Sequence, residues 1–373
     1  MNSLYIHIPF CVKKCLYCDF YSQGYDNQLA VKYINILSSQ IKALKTQFDT
    51  IYIGGGTPSV LESRLLEKLL KSIRGVAGIA KEFTIEANPE SVSEKKLRLF
   101  LSYGVNRISI GVQSFDDKKL AKLGRIHSAR KAIEAIKLAE YCGFKSISID
   151  LIFGVWQETL DEWEKELQIA VSLPVKHISC YSLSYEKHAR LFQLLKKKKI
   201  IPQSEEGVVK MYERSINYLE KNKFFHYEVS NFAKSGFQCK HNLSYWQNNS
   251  YIGLGPSAVS YQDGIRTKNT SDVETYIEMI RKNKSAIIFN EKLSPRKRAK
   301  ETAAIKIRTS EGIDFDWFKR QTGFDFIKMQ EGNVGLLIDQ GLLRYKGSES
   351  KKTGVALTKK GFLFCDSVSA QLL

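Results

Sequence analysis

The chain has no long apolar run and no recognisable export signal. None of its 373 residues belongs to a stretch approaching the ~18 consecutive apolar residues that a membrane-spanning helix needs. The first residues, Met-Asn-Ser-Leu-Tyr-Ile-His-Ile-Pro, lack the basic start and the apolar core of a signal peptide. With 43% hydrophobic and 26% charged residues, the composition is that of a folded, water-soluble protein. These features predict a cytoplasmic protein rather than a membrane-embedded, secreted or disordered one.

Cysteine is scarce and unevenly distributed. Of seven cysteines, three lie within eight residues, as Cys11, Cys15 and Cys18. The other four are scattered, at Cys142, Cys180, Cys239 and Cys365. A disulfide framework uses an even set of cysteines in a small secreted chain. The odd number and the clustering therefore favour metal binding by the first three.

Acidic residues are also in deficit, with 39 Asp and Glu against 57 Lys and Arg, a formal net charge of +18. Lysine is frequent along the whole chain, so much of this charge is ordinary solvated surface. The run Lys196–Lys199 is best explained as an exposed helix end or loop. A strongly positive field favours anionic partners. The candidates are RNA, an acidic electron-transfer protein, anionic lipid head groups or a small molecule with carboxylates.

Short strands, several of them rich in Ile, alternate with amphipathic helices in the first half of the chain. The predicted strands are Ser3–Ile8, Thr50–Ile53, Glu82–Ala87, Asn106–Ile110, Lys145–Asp150 and Lys176–Tyr181. The predicted helices are Leu29–Leu44, Ser63–Ile73, Ser93–Leu101, Ala129–Tyr141 and Leu160–Val171. Six strand–helix units in a row predict an all-parallel α/β fold, either a barrel or an open wound sheet.

Polar motifs directly after the strands favour the barrel. The cysteine cluster follows the first strand, Gly54–Pro58 the second, Glu86–Pro89 the third and Gly111–Ser114 the fourth, while Asp150 closes the fifth. In a β/α barrel all C-terminal strand ends face one mouth, whereas an open sheet would spread these groups along its edge. The sequence therefore predicts a partial (β/α)6 TIM-type barrel.

The alternation ends near residue 200. Ser204–Asn222 predicts a long helix, followed by an irregular, aromatic-rich region from Phe224 to Tyr261. Helical patterns over Pro295–Ser310, Phe315–Thr322 and Glu331–Asp339 precede a hairpin of Leu342–Tyr345 and Gly354–Leu357. We predict a barrel domain over residues 1–285 and a winged-helix-like α+β domain over residues 286–373.

The cysteine cluster, Cys11-Val-Lys-Lys-Cys15-Leu-Tyr-Cys18, has the spacing C-x3-C-x2-C. Three thiolates on one tight loop can bind three corners of a [4Fe-4S] cubane and leave the fourth iron open to a ligand. A structural zinc site would need a fourth protein ligand, and the only nearby histidine, His7, lies in a predicted strand. The spacing favours the cluster over zinc.

This spacing, with an aromatic residue before the last cysteine and Gly54-Gly-Gly-Thr-Pro58 after the next strand, resembles the radical S-adenosylmethionine (SAM) superfamily. The resemblance implies that SAM chelates the open iron. It also implies that one electron from the cluster cleaves SAM to methionine and a 5′-deoxyadenosyl radical. The net charge suits an acidic flavodoxin or ferredoxin as electron donor.

Further motifs resemble the oxygen-independent coproporphyrinogen III oxidase branch of this superfamily. In the order of that branch they are Tyr5–Cys11, Glu86–Pro89, Gly111–Phe115, Gly124-Arg125 and Ile149–Gly154. The resemblance extends from Tyr5 to about Tyr261, and a weaker similarity is found at Thr309–Ile313. It implies a six-unit partial TIM barrel of the radical SAM type followed by a C-terminal domain.

The same resemblance implies a SAM shell at the barrel mouth. Its candidate members are Tyr5, Tyr17, Gly55, Gly56, Thr57, Glu86, Gln113, Arg125 and Asp150. Glycines let the backbone approach the methionine end of SAM, and the Arg125 guanidinium can pair with its carboxylate bidentately. The acidic and amide side chains offer acceptors for the ammonium and the ribose hydroxyls, and the tyrosines can lie near the adenine and the cluster. Taken singly, each polar residue could equally cap a strand end.

Two departures from the branch pattern bear on function. Val155-Trp156 follows Gly154 where the branch has Leu-Pro, so the rigidity of that loop is expected to differ. Phe20 stands where coproporphyrinogen oxidases carry a further cysteine, and their longer N-terminal segment, which helps to hold a second SAM, is missing. The second departure argues against coproporphyrinogen oxidase activity.

The segment His241-Asn-Leu-Ser-Tyr245-Trp246 resembles the H-N-x-x-Y-W signature of HemW-type haem chaperones. An imidazole is a common axial ligand of haem iron, and flanking aromatic rings can cover the macrocycle. From composition alone a buried structural histidine is the better explanation, but Phe20 and the short N-terminus reverse that preference. Cys239, two residues upstream, could also ligate iron.

The leading prediction is a haem chaperone on a radical SAM scaffold, which binds the cluster, SAM and haem and delivers haem to respiratory acceptor proteins. The first alternative is an oxygen-independent coproporphyrinogen III dehydrogenase, which decarboxylates two propionates. The second is a radical SAM enzyme that acts on RNA. The sequence shows no basic strand with aromatic residues between the charges, which would support this alternative. We expect no nucleic-acid partner, and transient contact with a membrane surface is among the candidate interactions.

Overall fold

The computed structural model describes residues 2–78 and 80–373. Its strands are β1 (Ser3–Ile8), β2 (Thr50–Gly55), β3 (Glu82–Ala87), β4 (Arg107–Gln113), β5 (Ser146–Phe153), β6 (His177–Ser182), β7 (Phe225–Glu228), β8 (Asn231–Ala233), β9 (Tyr251–Leu254), β10 (Val259–Gln262), β11 (Ile265–Asn269), β12 (Ile287–Lys292), β13 (Ile313–Asp314), β14 (Leu343–Ser348) and β15 (Lys351–Leu357). Two-residue strands, Phe10–Cys11 and Gln23–Gly24, pair with each other beside the cysteine cluster.

The helices are α1 (Asn27–Ala43), α2 (Ser63–Ile73), α3 (Glu94–Ser102), α4 (Asp117–Leu123), α5 (Ala129–Cys142), α6 (Leu160–Ser172), α7 (Arg190–Lys196), α8 (Glu205–Lys221), α9 (Lys240–Trp246), α10 (Val273–Arg281), α11 (Pro295–Lys306), α12 (Phe315–Thr322), α13 (Phe326–Met329), α14 (Asn333–Asp339), α15 (Lys359–Leu363) and α16 (Cys365–Leu372). Within the described residues, no helix combines the length and the apolar character needed to cross a membrane.

Twelve strands form one sheet in the order β12-β11-β10-β9-β1-β2-β3-β4-β5-β6-β8-β7. The predicted strands β1 to β6 are neighbours in chain order and pair in parallel, which confirms the partial α/β barrel. A seventh parallel strand, β9, pairs with β1 in a region that the sequence predicts as irregular. Antiparallel strands extend the sheet beyond both β9 and β6, so the barrel stays open.

Burial and helix capping explain this arrangement. All residues of β4 except Gln113 are buried, as expected for a strand covered on both faces. Several of the helices that cover the sheet begin at side chains that accept a backbone N–H from the first turn, such as Asp26, Ser128 and Thr159. Each helix brings the chain back to the end of the sheet where the next strand begins. All strands therefore run in the same direction, and the C-terminal ends of β1 to β6 open to one mouth.

The C-terminal part has a hydrophobic core of its own, whose fully buried members include Phe318, Leu337 and Val355. Strands β13, β15 and β14 form a separate antiparallel sheet beside α11 to α16. The strand β12 begins at Ile287, beyond the predicted boundary at 285/286, yet it belongs to the large sheet. The division into two domains remains a prediction.

Candidate cofactor site

The three clustered cysteines lie on a loop that follows β1 at the barrel mouth. Leu16 N donates to Leu123 O at 3.2 Å and ties this loop to the end of α4. Cys11, Cys15 and Cys18 are partly exposed and free of disulfide bonds, and all three line a cavity of about 590 Å³. The predicted cluster ligands therefore face one space.

Side chains from two distant segments contact the thiols. Thr57 Oγ1 donates to Cys11 Sγ at 3.5 Å, and Arg125 Nη1 donates to Cys15 Sγ at 3.2 Å. Burial raises the pKa of the Cys11 thiol and raises the pKa of Cys18 to about 11, so a bound cation has to replace these protons. In the part of the chain that the structure describes, no three His, Cys, Asp or Glu side chains are placed to share one metal ion. A cubane does not require such convergence, because each thiolate binds a different iron.

The glycine turn after β2 packs against the strand that leads to the cysteines. A Cβ atom on Gly56 would lie 2.7 Å from the Phe10 carbonyl oxygen, and Gly55 has a φ of +110°, which strains any other residue. Thr57 N donates to the same Phe10 oxygen at 2.7 Å. The close approach that these glycines permit is thus to the cysteine strand itself. Gly55 and Gly56 also line the cavity, where the sequence predicts contact with SAM.

Asn88 and Arg125 form a polar wall of this cavity. Asn88 Nδ2 donates to Thr57 Oγ1 at 2.9 Å, while Arg125 Nη2 donates to Asn88 Oδ1 and to the Gly111 carbonyl oxygen, both at 2.8 Å. Arg125 Nε is buried and has no hydrogen-bond partner among the described residues. An unpartnered guanidinium N–H favours an anionic group beside it. This arrangement fits a carboxylate-bearing ligand next to a cluster.

Two partly buried carboxyl groups line the same cavity. Glu86 accepts hydrogen bonds from the Tyr52 hydroxyl (2.7 Å) and from Gly55 N (3.1 Å), and burial raises its pKa to about 7. Burial also raises the pKa of Asp150. Both groups hold a proton more readily than exposed carboxyls, and both can accept hydrogen bonds from the ammonium or hydroxyl groups of a ligand.

Gln113 and Tyr17 are the remaining predicted residues of this cavity. Gln113 ends β4 with a φ of +67°, so the strand stops there and the chain turns. Burial, together with the neighbouring Cys15, raises the pKa of the Tyr17 hydroxyl. Tyr17 therefore remains a neutral hydrogen-bond donor beside the cysteine loop.

A second cavity, of about 570 Å³, adjoins the first. Tyr5, predicted as part of the SAM shell, lines this cavity instead, with its hydroxyl 3.0 Å from His7 Nδ1. His241 and the two aromatic residues of its motif line the same space. The residues common to both cavities are Asp19, Phe20, Tyr52, Gly55, Glu86 and Asn242.

His241 lies on α9 with both ring nitrogens hydrogen-bonded. Nδ1 is 2.9 Å from Thr50 Oγ1, and Nε2 is 2.9 Å from the Tyr245 hydroxyl. Its exposed fraction is 1%, and burial, with the nearby Arg107, lowers its pKa to about 3. The imidazole is therefore neutral at physiological pH, as iron binding requires. Nε2 can bind a ligand only when its hydrogen bond to Tyr245 breaks.

A carboxylate from β3 holds the N-terminus of α9. Glu82 accepts hydrogen bonds from the backbone N–H groups of Lys240 (2.9 Å) and His241 (3.0 Å) and from Cys239 Sγ (3.4 Å). These N–H groups have no partner within the helix, and the helix dipole favours a negative charge beside them. Burial raises the pKa of Cys239 to about 12. This thiol is a buried donor to Glu82 and is not the accessible iron ligand that its position in the sequence allows.

Val155 and Trp156, which stand where the related branch has Leu-Pro, lie in a loop that neighbouring side chains hold in place. Glu158 Oε2 accepts from Val155 N at 3.0 Å, and Lys122 Nζ donates to the Trp156 carbonyl oxygen at 2.8 Å. Glu158 is itself paired with the buried Lys119. These contacts restrain the loop where the branch uses proline, and residues 154–156 line neither cavity.

Comparison with known proteins agrees with this geometry. The family model of the radical SAM superfamily matches residues 5–170. Heme chaperone HemW of Bacillus subtilis (strain 168) is 34% identical over 381 residues, covering 100% of this chain and 99% of the relative. The chain belongs to the HemW family. HemW of Escherichia coli (strain K12) is 38% identical over 281 residues, covering 72% of this chain and 73% of the relative.

A solved structure related to this HemW-family chain is coproporphyrinogen III oxidase (HemN) from Escherichia coli, a radical SAM enzyme. It matches with a TM-score of 0.85 and 21% sequence identity, covering 100% of this chain and 89% of that chain. This likeness establishes the shared fold.

In this HemW-family chain most of the predicted site residues meet at one cavity. Those that line the first cavity are Cys11, Cys15, Tyr17, Cys18, Gly55, Gly56, Thr57, Glu86, Gln113, Arg125 and Asp150. Tyr5 and His241 line only the second. Asn88, Ser109 and Ser179 also line the first cavity and were missed. A polar residue inside an otherwise apolar strand, as at Ser109 and Ser179, is the signal that could have found two of them.

Proposed function

We propose that the chain is a haem chaperone built on a radical SAM scaffold, which binds haem and passes it to respiratory acceptor proteins. The full-length similarity to HemW carries the proposal. Two adjoining cavities of about 590 and 570 Å³ support it, because each has the size of a small-molecule site. One of them would hold the cofactors and the other the cargo.

In this proposal the first cavity holds a [4Fe-4S] cluster and SAM, which membership of the radical SAM superfamily implies. Cys11, Cys15 and Cys18 would bind three irons and leave the fourth to SAM. The chemistry that this pair of cofactors supplies when bound is one-electron transfer from the cluster to SAM.

The polar residues of the cavity would orient SAM. Arg125, with its unpartnered Nε, would bind the methionine carboxylate, and Gly55, Gly56 and Thr57 would border the methionine end. Glu86, Gln113 and Asp150 would accept hydrogen bonds from the ammonium and the ribose hydroxyls. Tyr17, which lies on the cysteine loop between Cys15 and Cys18, would border the bound cofactor.

Haem would bind in the second cavity, against the His241–Trp246 segment. Tyr5, Tyr245 and Trp246 supply aromatic surface there. The iron ligand would be Nε2 of His241, once the Tyr245 hydroxyl moves away from it. Asp19, Phe20 and Asn242 border both cavities, so cargo and cofactors would be neighbours.

His241→Ala tests this assignment. We expect haem affinity to fall by at least about tenfold. Removing even a residue that only hydrogen-bonds to a metal ligand typically lowers metal affinity by that factor or more. The Soret band should shift, while cluster content and SAM affinity stay near wild type, because His241 does not line the first cavity. Losing the hydrogen bonds to Thr50 and Tyr245 should also cost roughly 1–3 kcal/mol of stability. Haem titration, iron content and melting temperature are measured on the same variant.

Tyr245→Phe is the matched control, because it keeps the ring and removes the hydroxyl that occupies Nε2. If Nε2 binds iron, this variant should bind haem at least as tightly as the wild type, with the same Soret position. Wild-type haem affinity in His241→Ala, accompanied by a lower melting temperature, would assign His241 a structural role only.

Coproporphyrinogen III dehydrogenase is the second candidate function, since the E. coli oxidase has the same fold. We expect no decarboxylation above background with reconstituted cluster, SAM and reductant. The reason is Phe20, whose ring is 70% exposed at the border of the two cavities where that branch carries a cysteine. Products are separated by chromatography, with the E. coli oxidase assayed in parallel. Conversion at a rate comparable to the oxidase would replace the chaperone proposal by the enzyme.

An acidic flavodoxin or ferredoxin in the cytoplasm would supply the electron. Lys13 is exposed and Lys14 half-buried on the cysteine loop, and both border the first cavity. A positive rim around the cluster ligands would attract an acidic partner and speed its association.

A further inference from the structure

The strand β12 forms one edge of the twelve-stranded sheet and, among the described residues, has a strand partner on one side only. Three consecutive large apolar side chains on it are exposed: Ile287 (47%), Ile288 (60%) and Phe289 (47%). The pairing with β11 shifts register between Ile287 and Phe289, so Ile288 lies at an irregularity of this strand. Such an irregularity discourages pairing with a further strand, but it leaves the three apolar side chains in contact with water. A contiguous exposed apolar run indicates a contact surface.

Basic residues surround this run. Residues 281–298 include Arg281, Lys282, Lys284, Lys292, Arg296, Lys297 and Arg298, against one acidic residue, Glu291. Lys268 of β11 lies directly across the strand pair from Phe289. Glu291 lies 3.5 Å from Arg266, and Lys282 pairs with Glu278. Within the described residues the other six basic side chains of this segment form no salt bridge, so their charge is available to a partner.

One class of partner uses both features. A peptide that added a strand to β12 would draw its affinity chiefly from backbone hydrogen bonds, which need neither the exposed apolar nor the basic side chains. RNA would pair with the lysines and arginines but would leave two isoleucines in water. A bilayer with anionic head groups takes up both kinds of side chain. Apolar groups enter the boundary between head groups and acyl chains, while Lys and Arg remain at the phosphates.

We infer that residues 281–298 together with Lys268, here called the basic–apolar edge, dock the protein on an anionic bilayer surface. The inference rests on the exposure of Ile287, Ile288 and Phe289 and on the sign of the surrounding charge. It does not depend on haem or SAM binding, and it holds whichever reaction or cargo the two cavities serve.

Vesicle flotation with the purified full-length protein tests the inference. We expect binding to phosphatidylcholine vesicles that contain phosphatidylglycerol, little binding to phosphatidylcholine alone, and weaker binding at high salt. Replacing Ile288 and Phe289 together by serine should lower the affinity at least about tenfold, because the apolar contribution to membrane binding is lost. Lys284→Gln with Lys297→Gln should lower it roughly fivefold per lysine.

Two controls separate docking from general stickiness. Lys197→Gln with Lys199→Gln removes the same charge from a run outside the edge, and Tyr141→Ser with Leu336→Ser removes exposed apolar side chains elsewhere. Both should bind vesicles as the wild type does. Melting temperatures confirm that each variant is folded.

Three results would overturn the inference. One is equal loss of binding in the controls, which would indicate a non-specific charge effect. Another is wild-type binding by the Ile288→Ser, Phe289→Ser variant. The third is a wild-type dimer that becomes monomeric in this variant without any lipid binding by either, which would make the edge a contact between two copies of the chain.

Discussion

Cys15→Ser is expected to abolish the iron–sulfur cluster. Cys11, Cys15 and Cys18 line one cavity, and two remaining thiols cannot hold a cubane whose fourth iron is left to a small ligand. A serine hydroxyl stays protonated and is a poor ligand for iron. After anaerobic reconstitution with iron and sulfide, the variant should show background iron and sulfide content, no cluster absorbance and no SAM cleavage.

Cys142→Ser is the matched control for this substitution. Cys142 is buried on α5 and does not line either cavity. We expect wild-type cluster content with a small loss of stability. Replacement of all three cysteines of the loop by serine makes the decisive variant. Full iron and sulfide content in that variant would show that these three thiols do not bind the cluster.

Glu82→Ala is expected to destabilise the protein by about 1–3 kcal/mol, the cost of leaving the first N–H groups of α9 without an acceptor. Glu82 accepts hydrogen bonds from two of these N–H groups, and its charge also acts on the buried Arg107. Burial opposes the charge of Arg107, but neighbouring acidic groups, Glu82 among them, outweigh that effect and raise its pKa. Without the carboxylate, α9 loses its anchor, so haem affinity should fall as well. Urea unfolding and haem titration measure the two effects.

Two further variants separate the charge of Glu82 from its hydrogen bonds. Glu82→Gln keeps one acceptor oxygen and should lose less stability than Glu82→Ala. Glu94→Gln removes an exposed carboxylate that pairs with Arg98 on the same helix, and it should leave the unfolding midpoint nearly unchanged. If Glu82→Ala unfolded at the wild-type midpoint, the carboxylate would not be the anchor of α9.

The helices and parallel strands follow from local patterns. The predicted bounds of Ser63–Ile73 and Phe315–Thr322 agree with α2 and α12, because apolar spacing acts within a few positions and Asp314 caps α12. The strand β9 escaped prediction, because its four residues, Tyr-Ile-Gly-Leu, carry little pattern. Its place is set by pairing with β1, almost the whole barrel away in sequence.

The composition of the candidate cofactor site was also predictable to a large extent. Cysteine spacing and the glycine turn are local features, and parallel strands carry whatever follows them to the same mouth. What escaped prediction is the partnership of Asn88 with Arg125 and Thr57. Those contacts depend on the relative positions of β2, β3 and the segment after α4, which no local pattern specifies.

The sequence by itself determined the barrel and the residues that follow each strand, and it supplied the spacing on which the proposed cluster ligands rest, because these depend on patterns along one chain segment. Only the tertiary structure decided that Tyr5 and His241 border a second cavity, that Glu82 holds the helix carrying His241, and that Cys239 is buried. Each of these facts depends on side chains from strands distant in sequence meeting at a particular register. A residue's neighbours across a sheet are fixed by packing of the whole fold, so local composition cannot reveal them.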